Sequence, residues 1–540
     1  MKPGTGSFRK TKSLARRIGI AGVTLTWLLS VLACSQGYVS PYDLTATALF
    51  SSGGAGGGEA VPLPVTPEPA LTESVVEPVM GSTPIPVQPT QGGPLFTPLP
   101  TRSTPLPPIL YYTQAGDTLP MVAARFGVPV EDISSTEQIP PNGLINAGKL
   151  LIIPDRLGEI GPGDLLLPDS EIVYSPSALD LNLDAFIRDA GGYMSTYREY
   201  LAEGWRTGAQ VVEKVAIENS INPRVLLALL EYQSHWVYGQ PTNLVETDYP
   251  LGHINSEKKG LYKQLSWAVQ QLSIGYYGWR NGILLELTFP DNTQMRMAPG
   301  LNAGSAALQF YFSRKNPPVL WNGVLYGAES FPVLYERMYD NPWLRAQTVE
   351  PLLPVDLSQP DLILPFIPGH IWSYTGGPHS AWGPDGARAA LDFAPASTVS
   401  GCVESSEWIT AVADGKILRT GNGVVVLDLD GDGSEQTGWV ILYLHVATKN
   451  RIPAGSSVQQ GDIIGHPSCE GGTSTGTHVH IARKYNGEWV LADGPLPFTL
   501  SGWQARAGRN PYEGSLLKDD KVIDACTCGS FETRIIRPVE

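Results

Sequence analysis

Histidine is scarce in this chain, with eight residues in 540, so any clustering of histidines stands out. Positive charge is also short. Lys and Arg number 37 against 52 Asp and Glu, for a formal charge of -15. A phosphate backbone is gripped by a basic footprint, so nucleic acid is excluded as a partner. Cysteine is rare, with five residues. The apolar run from Ile18 to Ala33 is short for a membrane-spanning helix. What the chain has in quantity is length, glycine and proline. At 540 residues it exceeds one compact core, and roughly three or four domains are expected.

The N-terminus reads as a targeting segment. Lys2, Arg9, Lys10, Lys12, Arg16 and Arg17 form a basic region before the apolar run, and Cys34 follows it. "SVLAC" resembles a bacterial lipobox, with Val31 where leucine is usual. The resemblance implies a lipoprotein signal peptide over 1–33, lipidation of Cys34 and a membrane partner through that lipid. Export would place the protein outside the cytoplasm, in the cell envelope, and the remaining cysteines in a disulfide-permissive space. Residues 34–108 read as a tether. "SSGGAGGGEA" is flexible, and "VPLPVTPEPA" and "PLFTPLPTRSTPLPP" favour extended polyproline segments.

Order begins at Ile109. "LYYTQ" and "LLIIP" read as strands, "LPMVAARF" as a helix ended by Gly127, and "VEDISSTEQ" as a second helix. This βααβ pattern, with "AGDTL", "VAARFG" and "INAGKLLIIP", resembles the LysM domain over 109–155. The resemblance implies binding to N-acetylglucosamine-containing glycans through Gly116, Asp117, Thr118, Leu144, Ile145 and Asn146.

Residues 185–350 carry helical apolar spacing in "YMSTYREYLAEGW", "TGAQVVEKVAIENS", "PRVLLALLEYQSHWVYG", "LYKQLSWAVQQLSIGYYGW" and "NAGSAALQFYFSRK", predicting an all-α middle domain. "INPRVLLALLEYQSHW" resembles the first catalytic helix of lysozyme-like transglycosylases and glucosaminidases. Those carry Glu where this chain has Gln233. An amide cannot protonate a leaving oxygen, and Glu231 lies off that helix face. A non-catalytic domain is expected.

From 362 to 540 short β-rich runs alternate with Gly, Asn and Asp turns, predicting an antiparallel β-domain and a multidomain α+β chain. In "GTHVHIARK", His478 and His480 flank one valine, so in a strand both imidazoles share a face. His379 in "GGPHSAW", Asp392 in "ALDFAP" and His445 in "ILYLHV" complete a set. Asp392 between two apolar neighbours asks for a partner if buried. Two histidines and a carboxylate can hold a catalytic zinc with one position open for water, and further imidazoles can move its proton.

"STGTHVHI" and "LYLHV" resemble the motifs of the lysostaphin and β-lytic zinc endopeptidases, which cleave peptide stems or cross-bridges of peptidoglycan. Most carry His-x-Gly-x-Asp. Here Arg388 occupies the position four before Asp392, whereas His379 lies thirteen before it, as in the β-lytic branch. The resemblance implies zinc ligands His379, Asp392 and His480, and His445 and His478 as the non-ligand catalytic pair, with a zinc-bound water attacking the peptide. Its β-lytic branch pairs a cysteine nine residues before the first His of the pair, and Cys469 has that spacing. A Cys402–Cys469 disulfide is implied, with Cys526 and Cys528 as the remaining pair. The alternative function is a catalytically inactive wall-binding lipoprotein or hydrolase activator.

"DLDGDGSEQ" from Asp428 opens like a calcium loop, but its twelfth position is Trp439 rather than a bidentate Glu, so a hairpin tip is expected. His235, His253, His370 and His466 lack a partner pattern and read as structural or surface residues.

Overall fold

The computed structural model describes residues 106–397 and 399–539. The signal peptide, Cys34 and nearly all of the tether lie outside the described residues. Among the described residues no helix is long and apolar enough to cross a membrane.

The first folded unit is a three-stranded antiparallel sheet, β1 (Ile109–Tyr112), β2 (Ser134–Ser135) and β3 (Leu150–Ile153), with β3 in the centre. Helix α1 (Leu119–Phe126) ends at Gly127 with φ +65, the left-handed conformation that glycine adopts without strain. The expected second helix is absent. Pro129 opens a single 3-10 turn, Val130–Asp132, and Ser134 and Ser135 then pair with Ile152 and Leu151. The Ser135 hydroxyl donates to Leu150 O and accepts from Glu137 N. Serine side chains compete for backbone groups in this way, which ends helices. The unit is therefore β–α–turn–β–β rather than βααβ.

The middle region is helical: α2 (Leu183–Ala190), α3 (Gly208–Asn219), α4 (Pro223–Ser234), α5 (Leu244–Asp248), α6 (Leu261–Arg280), α7 (Ala303–Ser313), α8 (Pro318–Tyr326), α9 (Phe331–Tyr339) and α10 (Pro342–Ala346). Pro223 starts α4, where its missing N–H costs nothing, and Asn222 caps it by accepting from Arg224 N. The region is not all-α. "REYLAEGWRT" forms a hairpin, β4 (Arg198–Leu201) and β5 (Gly204–Thr207), because Gly204 takes the turn at φ +106 and Tyr200 meets Trp205 across the strands. A second hairpin is β6 (Glu286–Thr288) and β7 (Gln294–Arg296).

The C-terminal domain is built on an antiparallel sheet ordered β14–β11–β12–β13–β16–β9–β8–β22, with β17 on β16. These are β8 (Ile371–Ser380), β9 (Arg388–Pro395), β11 (Gly415–Gly421), β12 (Val424–Asp428), β13 (Trp439–Leu444), β14 (Ser457–Val458), β16 (Val479–Tyr485), β17 (Glu488–Trp489) and β22 (Arg534–Ile536). β10 (Ile409–Thr410) pairs β15 (Ile463–Gly465), and β18 to β21 (Thr499–Leu500, Trp503–Ala507, Gly514–Lys518, Lys521–Asp524) form a small sheet.

Both faces of the large sheet are covered. One packs on Trp372, Tyr374, Phe366 and Phe393 in a core of its own. The other, carrying Val426, Leu442, Leu444 and Ala482, joins the core of the helical region. Leu166, Leu167, Ile172 and Val173, ahead of the expected start at 185, belong to that same core.

The two layers and the first unit meet at one buried guanidinium. Arg280 pairs with Asp169 at 2.8 Å and with Glu488 of β17 at 3.1 Å, and donates to Ala115 O. Burial penalises the Arg280 cation, but Glu488, Tyr276 and Asp169 outweigh it and raise its pKa. A cation this buried persists because carboxylates surround it.

Candidate active site

Each member of the histidine set is placed by the sheet register. His480 lies opposite Asp392 on β9 and opposite Leu444 on β13, with His445 following Leu444. Val479 points into the opposite core, so His478 and His480 look the same way. On β8, Gly376 sits opposite Asp392 and His379 opposite Ala390, with register shifts on either side of His379. The glycine pair before His379 is steric. A Cβ on Gly376 would lie 2.5 Å from Asp392 Oδ2, and one on Gly377 would lie 2.5 Å from Glu513 O. Arg388 turns away and donates to Gly508 O and Arg509 O.

Three atoms converge. His379 Nε2 lies 3.3 Å from Asp392 Oδ1, His480 Nδ1 lies 3.3 Å from the same oxygen, and the two nitrogens are 3.0 Å apart. The outer ring nitrogens face carbonyls: His379 Nδ1 is 2.8 Å from Gly377 O, and His480 Nε2 is 3.1 Å from Ala381 O. Carbonyls only accept, so these nitrogens carry the protons and the inner ones present lone pairs. Asp392 Oδ1 is buried and has no hydrogen-bond partner. Two lone pairs and a carboxylate oxygen facing one another in a buried site repel unless a cation sits between them. The donor set, two imidazoles and one carboxylate with carbonyl-oriented rings, fits zinc.

The other two histidines flank this cluster. His478 Nε2 lies 3.6 Å from Asp392 Oδ1, and its Nδ1 lies 2.7 Å from Gly476 O. His445 has φ +66, an uncommon backbone conformation for a residue with a Cβ, and its Nδ1 lies 2.9 Å from Glu470 O. The His445 and His478 rings are 4.5 Å apart. Burial, then His478 and His480, push His445 down to about 4. Burial opposes the charge on Asp392, but His379 and His478 outweigh it and hold the carboxyl well below its usual range.

One neighbour carried no sequence signal. Tyr512 stacks on His379 with ring centroids 4.1 Å apart, and its carbonyl accepts from Gly377 N. It lies far along the chain in "NPYEG", where no spacing links it to the histidines. The Cys402–Cys469 disulfide joins two loops beside the site, which are further tied by Thr477 N to Gly401 O; Cys526 is bonded to Cys528.

The remaining candidates lie apart from this centre. Gly116, Asp117, Thr118, Leu144 and Ile145 are buried, and Asn146 is exposed. Asp117 accepts from Tyr111 at 2.6 Å, Gln114 N at 2.8 Å and Arg125 at 2.7 Å. The Arg280 guanidinium lies where a Gly116 side chain would, so a glycan could enter this groove only by displacing it. Asp428, Asp430 and Asp432 bring carboxylate oxygens within 4.8 Å of one another, but Asp428 accepts from Gly431 N and Gly433 N within its own hairpin tip. His253 stacks on Trp267, His466 on Trp408, His370 pairs with Glu407, and His235 caps α4.

In the helical layer Glu231 accepts from Val237 N and Tyr238 N, a turn-closing role. Gln233 Oε1 accepts from Lys315 Nζ at 2.6 Å. A carboxylate placed there would be held ionised by that ammonium and could not serve as an acid. The full chain, wild type or Gln233→Glu, is expected to release no reducing sugar ends and no anhydro-muropeptides from purified wall. Either product from either protein would contradict this.

The sheet and its cluster define a candidate metallopeptidase centre, and comparison with known proteins agrees. Residues 399–491 match the model of peptidase family M23, and residues 165–353 match that of the LasA N-terminal domain. The latter covers the helical region, one helix of which resembles a lysozyme-like domain in sequence. Protease LasA of Pseudomonas aeruginosa is 28% identical over 358 residues, 62% of this chain and 80% of that protein. The beta-lytic metalloendopeptidase of Achromobacter lyticus is 27% identical over 160 residues, 28% of this chain and 40% of that protein. The solved M23 metalloprotease pseudoalterin covers 31% of this chain and 96% of its own, at 24% identity and a TM-score of 0.27. The sequence matches support an M23-type metallopeptidase of LasA and β-lytic kind in the C-terminal domain.

Proposed function

We propose that this protein is a zinc metalloendopeptidase that cleaves peptide stems or cross-bridges of peptidoglycan outside the cytoplasm. The observation that carries the reading is the convergence of His379 Nε2, His480 Nδ1 and the partnerless Asp392 Oδ1 on one buried point. These three residues would hold the zinc. A zinc there supplies Lewis acidity and lowers the pKa of water toward neutrality. His445, neutral at pH 7 because burial depresses its pKa, keeps its Nε2 free to take a proton. His478, oriented by Gly476 O, offers a second positioned nitrogen for the proton or for the oxyanion of the attacked carbonyl. Gly376 and Tyr512 act through the ligands, by giving Asp392 room and by stacking on His379.

The unit at 109–155 is proposed to grip wall glycan as LysM domains do, with displacement of Arg280 from the groove as its condition. Cys34 is proposed as the lipid anchor. Wild-type protein is then expected to partition into detergent phase and to incorporate a fatty-acid analogue, and Cys34→Ser to do neither. Soluble, unlabelled wild type would contradict the anchor.

Digestion of defined muropeptides with mass analysis of the products tests the peptidase reading. New peptide termini with intact glycan are expected. Intact muropeptides after incubation with zinc-loaded protein would contradict it and leave the binding-lipoprotein reading.

A further inference from the structure

A cavity of about 1150 Å³ lies between the helical layer and the β-domain. One wall includes Arg206 of β5 and Glu213 of α3, and the other includes the β11–β12 turn. Asn422 in that turn donates to Glu203 and bridges the two layers. The cavity adjoins the candidate active site, although none of the five site residues lines it. Glu470, whose carbonyl faces His445, lines it, as does Trp382, which follows the Ala381 carbonyl that faces His480.

Its charges are mostly committed. Lys214 pairs with Glu218 at 2.6 Å, Arg419 with Glu435, and Arg451 approaches Glu470 at 3.8 Å. The side chains of Arg206 and Glu213 make no ion pair or hydrogen bond within bonding distance among the described residues, and both line the space. Against burial, Arg206 helps hold the nearby Glu203 carboxyl below its usual range, and Glu213 is exposed. A cation and an anion without a bonded partner in one cavity beside the candidate site are suited to a ligand with the complementary pair. Arg presents a fork that matches a carboxylate, and Glu accepts from an ammonium.

We propose that this cavity is a substrate subsite for a peptide arm bearing both a carboxylate and an ammonium. Arg206 takes the carboxylate and Glu213 the ammonium, so the helical layer recognises substrate although it is not a hydrolase. The inference rests on the peptidase reading above and specifies which peptides that site prefers.

The test is kinetic, on the full zinc-loaded chain. Branched peptides sharing one scissile bond carry an arm that is free, N-acetylated, C-amidated or doubly blocked. The wild type is expected to prefer the free arm to either singly blocked arm by about tenfold or more in kcat/KM, the scale of one charge-assisted contact, and to prefer it to the doubly blocked arm by more. Arg206→Ala should lose the response to amidation but keep that to acetylation, and Glu213→Ala the reverse, with the change in KM rather than kcat. Equal cleavage of all four peptides by the wild type would overturn the subsite while leaving the peptidase reading intact. So would variants that keep both responses. Cleavage of none of the four would overturn the peptidase reading and the subsite together.

Discussion

His480→Ala, His379→Ala and Asp392→Ala are each expected to lose zinc and peptide cleavage together. Their atoms meet at one buried point, and each ring is aimed by a carbonyl behind it. Removing one of three protein ligands leaves an ion held at two positions in a site built for three. The metal content should fall from about one ion per chain to a small fraction. Asp392→Asn is the informative companion. It keeps the shape beside Gly376 but removes the charge that faces both histidines, and it should lose zinc as well. Zinc measured by elemental analysis, with circular dichroism to confirm folding, decides. Full zinc in His379→Ala would show that the thirteen-residue spacing from Asp392 does not define the ligand pair.

His445→Ala and His478→Ala are expected to behave differently. Neither contributes an atom to the convergent three, so zinc should stay near one per chain. Turnover should fall by roughly 10²–10⁴-fold, the range for a positioned proton-transfer group. The fall should appear in kcat, because both rings face the reacting centre and neither lines the neighbouring cavity. Loss of zinc from either variant would place that histidine among the ligands instead.

The β-domain and part of its candidate site were legible from local rules, while the grouping of His379 and His445 with the rest came from the resemblance to the β-lytic motifs. Strand alternation alone places His478 and His480 on one face and Val479 on the other. Turn residues mark the strands, and an Asp between Leu391 and Phe393 signals a buried charge in need of partners. What was not legible depended on contacts between distant segments. Tyr512 reaches His379 from more than a hundred residues away. "REYLAEGWRT" has helical apolar spacing, but Gly204 and the Tyr200–Trp205 contact make it a hairpin. "VEDISSTEQ" has the same spacing, but Pro129 and two serines able to bond backbone give a turn and a strand. The groove of the first unit looks open in sequence because nothing local announces Arg280, which arrives from the end of α6.

The central claim is that three side chains hold one zinc that peptide cleavage requires, and metal analysis of the wild-type protein meets it head-on. Purified full-length protein, stripped with a chelator and reconstituted, should bind about one zinc per chain and regain cleavage of muropeptides in proportion to the metal returned. A reconstituted protein that takes up no zinc, or one that cleaves equally well after stripping, would contradict the account.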